Sequence, residues 1–378
     1  MSRKHRRKRR SRAWWIVPLV IVCVILLAVA AYAAYILLSY QRLEDDLPCE
    51  VTPPQDGSDA AEMVQAGQTY TIFTQNIGFG AGSSDFTFFA DGGEGVRAAS
   101  VQTVEDNLRM CAEHLSDYDP DFILLQAVDK NSTRSLGTDQ PDLLSKQFGS
   151  YASSFAQSWD SPYLCYPVKT PVGFIRTGMM TLTDVTPASV TRRSLPVSET
   201  LTRLIDHDRC YTVTRIPVSD GKELVLINVH LSAYADAADL QEPQLKMLFK
   251  EMSDEYEKGN YVICGGTFSA DFTGDSVKKL NNAAGSNISW AQPLEDDLIP
   301  DHMARALDYE NGKLLPTCRN RDIPYKTGNF TAITDGFIVS DNVTVTQLKN
   351  IQTGFAYSDH NPVLMKFVLG EMPQENGG

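Results

Sequence analysis

Two histidines and a small set of carboxylates and amides stand at the ends of apolar runs. Asn228-Val229-His230 closes one such run, and Ser358-Asp359-His360-Asn361-Pro362 precedes another. Histidine ionises near neutrality, so it suits proton transfer and contact with an anionic group. An Asp beside a His brings a carboxylate and an imidazole to one reacting centre. Asn76, Gln126, Asp129, Thr267, Ser269 and Asp335 end or begin other apolar runs in the same way. Strand ends and the loops beyond them are where sites are commonly built. Taken singly, each residue has an ordinary structural use. Asn76 and Asp359 form turns, Gln126 hydrogen-bonds in a core, and Asp335 accepts from a backbone N–H. The joint pattern is what points to a site.

The elements that must position these residues follow from periodicity. Tyr70 to Ile77, Phe122 to Val128, Glu223 to His230, Tyr261 to Gly266, Asp335 to Ser340 and Val363 to Val368 read as strands. Continuous apolar runs such as Phe122 to Val128 are of the kind buried on both faces. Val96 to Leu115 and Ala237 to Glu257 have helical spacing, and Gly173 to Leu182 is a further strand candidate. Strand, helix, strand thus occurs once in each half. The pattern predicts an α/β fold, two packed mixed sheets flanked by helices, in one domain over 67–370.

The motifs resemble those of the endonuclease/exonuclease/phosphatase superfamily. The segments are Thr74-Gln75-Asn76-Ile77, Leu124-Leu125-Gln126-Ala127-Val128-Asp129, Asn228-Val229-His230, Gly265-Gly266-Thr267-Phe268-Ser269, Thr334-Asp335-Gly336-Phe337 and Ser358-Asp359-His360. Any one is weak, but six in the superfamily's order are specific. The resemblance covers about Thr69 to Phe367. It implies a four-layer α/β sandwich and Mg²⁺-dependent cleavage of phosphoesters. It further implies that Asn76 helps orient a metal ligand, and that His230 and His360 contact the phosphate. Asp335 would orient His360, and Asp359 would be a metal-linked carboxylate.

Three positions depart from that pattern. The superfamily's metal-binding Glu is Ala127, its water-positioning Asp is Thr267, and its phosphate-holding Asn is Ser269. Mg²⁺ wants oxygen ligands at about 2.0–2.1 Å, usually with one or two protein carboxylates. Ala127 offers no oxygen, and the neutral hydroxyl of Thr267 is no base near neutral pH. The sequence therefore predicts a site that hydrolyses slowly or not at all and acts as a binding module. Mg²⁺ would be an ancestral cofactor and Asp359 a vestigial ligand. The alternative is an active Mg²⁺ hydrolase with substitute ligands, for which Asp129 and Asp271 are the candidates. Arg192-Arg193 and Arg319-Asn320-Arg321 are candidate phosphate-lining pairs, although such short charge clusters are mostly solvated surface.

Of the 34 Lys/Arg, eight fall within residues 1–12, which leaves 26 against 47 Asp/Glu in the remainder, a formal charge of −21. A body that acidic lacks the basic footprint of a nucleic-acid binder, and a nuclease role is disfavoured. The basic block, Trp14-Trp15 and an uncharged run over 16–38 predict a cytoplasmic segment with an interfacial Trp pair (1–15) and a single transmembrane helix. The domain would then lie outside the cytoplasm. A cleaved signal peptide is the rival, but its apolar core is usually only about 7–15 residues. Residues 39–66, rich in Pro and acids, read as a linker, and 371–378 as a loose tail. The six cysteines beyond Cys23 are scattered without a CxxC pair, which argues against a zinc cluster. The expected partners are the membrane and a phosphate-containing small molecule or lipid headgroup.

Overall fold

The computed structural model describes residues 13–232, 238–281, 291–307, 314–326 and 329–370. The basic block 1–12 and the tail 371–378 therefore lie outside the described residues. In chain order the first strands are β1 (Leu47–Pro48), β2 (Val51–Thr52), β3 (Thr69–Asn76), β4 (Phe122–Asp129) and β5 (Ala152–Asp160). They are followed by β6 (Arg176–Thr183), β7 (Ser189–Ser194), β8 (Cys210–Pro217), β9 (Glu223–His230) and β10 (Tyr261–Thr267). The last are β11 (Met303–Ala306), β12 (Cys318–Arg319), β13 (Thr331–Ala332), β14 (Asp335–Ser340), β15 (Val343–Asn350) and β16 (Val363–Leu369). The helices are α1 (Ala13–Ser39), α2 (Val101–Ser116), α3 (Gln140–Gln147), α4 (Ala238–Glu257) and α5 (Ser276–Leu280).

Among the described residues, one seven-stranded sheet runs β1-β7-β8-β9-β10-β14-β11 and the other β15-β16-β3-β4-β6-β5-β2. Each contains one parallel pair bridged by a helix. β3 and β4 are joined through α2, and β9 and β10 through α4. This is the strand, helix, strand echo of the sequence. The inner faces meet through Ile72, Leu124 and Phe367 on one sheet and Leu226, Ile263 and Phe337 on the other. The outer faces are covered by α2 and α3 through Val104, Leu108 and Leu144, and by α4 through Leu245, Leu248 and Met252. Strands buried on both faces must be apolar throughout, which is why their runs are continuous rather than alternating.

One polar clasp interrupts the apolar seam. Gln126 Nε2 donates to Asn228 Oδ1 at 2.8 Å, and Asn228 Nδ2 donates to the carbonyls of Leu125 at 3.2 Å and Met180 at 3.1 Å. Both side chains are fully buried.

The stretch 42–66, a linker by composition, is anchored to the body. Leu47–Pro48 pairs with β7 and Val51–Thr52 with β5, one on each sheet. Buried Arg192 fixes it by donating to the carbonyl of Glu44 at 2.7 Å. Pro-rich composition signals only the absence of a long element; two-residue edge strands need no periodicity.

α1 is a separate unit from the body that starts at Arg42. It is apolar all round its circumference, and Trp14–Ser39 is long and apolar enough to cross a membrane. At 27 residues it is roughly 40 Å long.

Asn228→Ala would remove one of the acceptors of Gln126, which also donates to Thr74 Oγ1 and to the carbonyl of Leu124, and would take away the donor to the carbonyls of Leu125 and Met180. We expect a loss of about 1–3 kcal/mol, read as a lower urea midpoint with an unchanged transition slope.

Candidate active site

The sheet registers bring the sequence-selected residues together. Thr267, the last residue of β10, pairs with His230 at the end of β9 and with Asp335 at the start of β14. Across the seam, Asn76 ends β3 beside Gln126 of β4. The next residue, Ala127, lies in a bulge with φ 55°. Ser358-Asp359-His360 is tied to the same rim. Ser358 Oγ donates to the carbonyl of Asn76 at 2.7 Å, and Gln75 Nε2 donates to the carbonyl of His360 at 3.2 Å. Asn76, Ala127, His230, Thr267, Ser269, Asp359 and His360 line one cleft of about 650 Å³.

His360 is the centre of a tight network. Its Nδ1 lies 2.8 and 3.0 Å from the two oxygens of buried Asp335. Those oxygens also accept from Thr334 Oγ1 at 2.9 Å and from Thr267 Oγ1 at 2.6 Å. Asn76 Nδ2 donates to Thr267 Oγ1 at 3.4 Å. Asp335 thus fixes the tautomer, with Nδ1–H directed at the carboxylate and Nε2 turned the other way. Burial alone would lower the imidazole pKa, but Asp335 and then Cys318 outweigh it and hold it well above the usual value. His230 is opposite in kind. Burial, with Arg209, His207 and His360 nearby, pushes its pKa well below the usual value. Its ring makes no hydrogen bond among the described residues. One histidine with a raised pKa and one with a lowered pKa therefore share the cleft.

The carboxylates are already engaged. Asp359 is buried 3.2 Å from Arg321. Burial raises its pKa, but Arg321 and His360 prevail and lower it overall. Its Oδ1 has no hydrogen-bond partner and lies against the backbones of Gly78 and Gly82, where a Cβ would come within 2.3 and 2.4 Å. Asp129 does not join the cleft. Its carboxylate takes a bidentate pair from Arg134 at 2.8 and 2.9 Å, so the proposed substitute ligand is an internal counter-ion. Asp271 is likewise spent, accepting from the backbone N–H and hydroxyl of Ser276 at 3.1 and 2.6 Å. Ser269 donates to the carbonyl of Leu231 at 2.9 Å.

Among the described residues, no three His, Cys, Asp or Glu side chains form a metal-binding group. This donor set fits Mg²⁺ poorly: Asp359 Oδ1 is free of a hydrogen-bond partner but packs against Gly78 and Gly82, and Ala127 and Thr267 add no carboxylate to it.

What the cleft does present is positive charge and aromatic surface. Arg134, Arg209, Arg319 and Arg321 line it, against Asp91, Asp206 and Asp359. Arg319 is buried and donates to the carbonyls of Ser83 at 2.7 Å and Phe86 at 3.1 Å. Arg321 lies 4.5 Å from the ring of Phe88 and Arg134 4.3 Å from that of Phe79. Of the two arginine pairs in the sequence, Arg319 and Arg321 belong to the cleft. Arg192 is structural, and Arg193 pairs with Glu251 at 2.6 Å. Phe89, Trp159, Val172 and Ile175 form an apolar wing. His207 packs with its ring tilted against Trp159, centroids 4.2 Å apart, and is held near pKa 4, chiefly by burial and then by Arg209. Arg134, Arg209, His207 and Trp159 were not legible as site residues, because each reaches the cleft from a segment without a motif.

No sequence-family model matches the chain, and no curated protein sequence does. Solved structures do. An endonuclease/exonuclease/phosphatase from Beutenbergia cavernae superposes with TM-score 0.57 at 15% identity, over 81% of this chain and 73% of that one. ANGEL2, a 2',3'-cyclic phosphatase solved with adenosine-2',3'-vanadate, gives 0.53 at 13% identity, covering 85% and 99%. The human Nocturnin catalytic domain with bound sulfate gives 0.50 at 17% identity, covering 84% and 100%. The chain has the endonuclease/exonuclease/phosphatase fold. Identities this low carry the architecture and not the chemistry, so the side chains described above decide what this example of the fold can do.

His360 takes a proton more readily folded than unfolded. Its contribution to stability is complete below the unfolded value of about 6.5 and fades as pH rises through the raised folded value. His360→Gln should therefore cost most stability at about pH 6 and least at about pH 9, measured as urea midpoints of both proteins at each pH.

Proposed function

We propose that this chain is a membrane-anchored module whose cleft binds the phosphate of a small molecule or lipid headgroup and turns it over slowly or not at all. The observation that carries the reading is the pairing of Asp129 with Arg134 and of Asp91 and Asp359 with Arg321, in a cleft lined by four arginines and His360. An anion is stabilised there by guanidinium forks with no metal required. The sulfate in Nocturnin and the vanadate in ANGEL2 are anions held by the same fold, which supports an anionic ligand here. The apolar wing beside the arginines suits the remainder of a phosphoester better than free phosphate alone.

Catalysis would need what Ala127, Thr267 and Ser269 lack. A metal supplies several kcal/mol of charge stabilisation, and a positioned acid–base group about 10²–10⁴-fold in rate. The basic N-terminus and the apolar α1 support a membrane anchor whose N-terminus, under the positive-inside rule, is cytoplasmic and whose body is outside.

Two measurements test the reading. Titration of the full chain in detergent with inorganic phosphate should show saturable binding near neutral pH without added Mg²⁺, and its absence would discard the module. On a bis-aryl phosphodiester with Mg²⁺, the native chain should stay at baseline. The triple change Ala127→Glu, Thr267→Asp and Ser269→Asn should raise the rate by at least about 10². Brisk Mg²⁺-dependent turnover by the native chain would refute the proposal.

A further inference from the structure

The cleft also holds a thiol that phosphate binding does not use. Cys318 lies in β12 and faces His360 through an antiparallel bridge, which sets the two side chains on one face. Its Sγ is 3.5 Å from His360 Nε2, while Nδ1 of the same ring is held by Asp335 at 2.8 Å. Thiol, imidazole and carboxylate thus stand in line. A nucleophile within reach of a base that is itself oriented by a third group is the general signature of nucleophilic activation, recognised by geometry rather than by sequence order.

The other cysteines provide the contrast. Cys111 contacts the amide oxygen of Gln75 at 3.2 Å, and burial pushes its thiol up to about 12. Cys210 is pushed up to about 12 in the same way. Neither lines the cleft; Cys318 does. Its neighbours Arg319 and Arg321 line the same wall, with Arg134 and Arg209 also on the cleft surface.

We propose that Cys318, His360 and Asp335 form a nucleophilic triad that captures soft electrophiles carrying an anionic group, the anionic preference resting on the phosphate-binding reading above. The thiol proton passes to His360 Nε2, and Asp335 holds the imidazolium through Nδ1–H. Sγ then attacks the electrophilic carbon. The S–C bond forms as the bond to the leaving group breaks, and the leaving group departs with that electron pair.

The test uses the full chain in detergent, treated near neutral pH with limiting iodoacetate or iodoacetamide. Alkylation at each cysteine is followed by peptide mass spectrometry. Cys318 should react at least about tenfold faster than exposed Cys165. Iodoacetate should outpace iodoacetamide at Cys318 and lag behind it at Cys165. His360→Gln and Asp335→Asn should each bring Cys318 down to the Cys165 rate. The comparison within the native chain needs no variant, so a variant that folds poorly does not decide the matter. A native Cys318 rate at or below that of Cys165 with both reagents overturns the triad, as does fast alkylation unchanged in a folded His360→Gln chain. Fast reaction with iodoacetamide and no preference for iodoacetate leaves the triad standing and overturns the anion-binding reading instead.

Discussion

The site depends on how two sheets meet along a largely apolar seam, crossed by a hydrogen-bonded cluster around Gln126 and Asn228 that includes Thr74 and Thr181. Gln126 Nε2 donates to Asn228 Oδ1, and Asn228 Nδ2 donates to two carbonyls of the facing sheet, so the pair fixes the relative slide of the sheets at one level. That level is the floor of the cleft. Gln126 precedes Ala127 and pairs with Asn76, and Asn228 is two residues before His230. An apolar seam tolerates small sliding because dispersion and burial are non-directional. A buried amide pair does not, because each broken hydrogen bond exposes a desolvation cost. The clasp therefore sets the separation between the half of the site on β3, β4 and the 358–360 segment and the half on β9, β10 and β14.

Charge is partitioned on two scales. Beyond the basic block the chain is strongly acidic, yet the cleft is lined by four arginines. Exposed charges are screened beyond about 8–10 Å at physiological salt. A ligand within the cleft is therefore governed by Arg134, Arg209, Arg319, Arg321 and His360 and only weakly by the outer surface. The same internal cations consume the acids. Arg134 occupies Asp129, and Arg321 occupies Asp359. Ala127 and Thr267 add no negative charge to that balance.

Backbone strain marks where the site is built. Ala127 and Ser269 both sit near φ 55°, in the left-handed region, as does Phe79 beside them in the cleft at φ 47°. Such a conformation costs an ordinary residue about 1–2 kcal/mol and persists where the surroundings impose it. At Ala127 it accompanies the bulge between Gln126 and Val128, which interrupts regular pairing with β6. Neither an alanine methyl nor the Ser269 hydroxyl, which turns back to a carbonyl, makes use of it.

Local chemistry in the chain was enough to determine β3, β4, β9, β10, β14 and β16, the two bridging helices and the sandwich, but not β8, which lies between β7 and β9. Runs such as Phe122 to Val128 can only be satisfied when buried on both faces, and that demand is written in adjacent residues. The motif residues Asn76, His230, Asp335 and His360 were legible because each ends or precedes such a run. The outer strands β5, β7 and β15 were not, since sequences such as Ala-Ser-Ser-Phe-Ala-Gln-Ser carry no clear alternation and take their strand form from a neighbour's hydrogen bonds. Side-chain pairing was out of reach for the same reason. Whether Asp129 faces a cation from solvent or Arg134, whether Arg192 or Arg319 reaches the cleft, and whether Cys318 meets His360 depend on register between segments far apart in the chain. Burial preference is a property of single residues and their near neighbours, whereas a charge or a thiol acquires its role from whichever distant group packing places beside it.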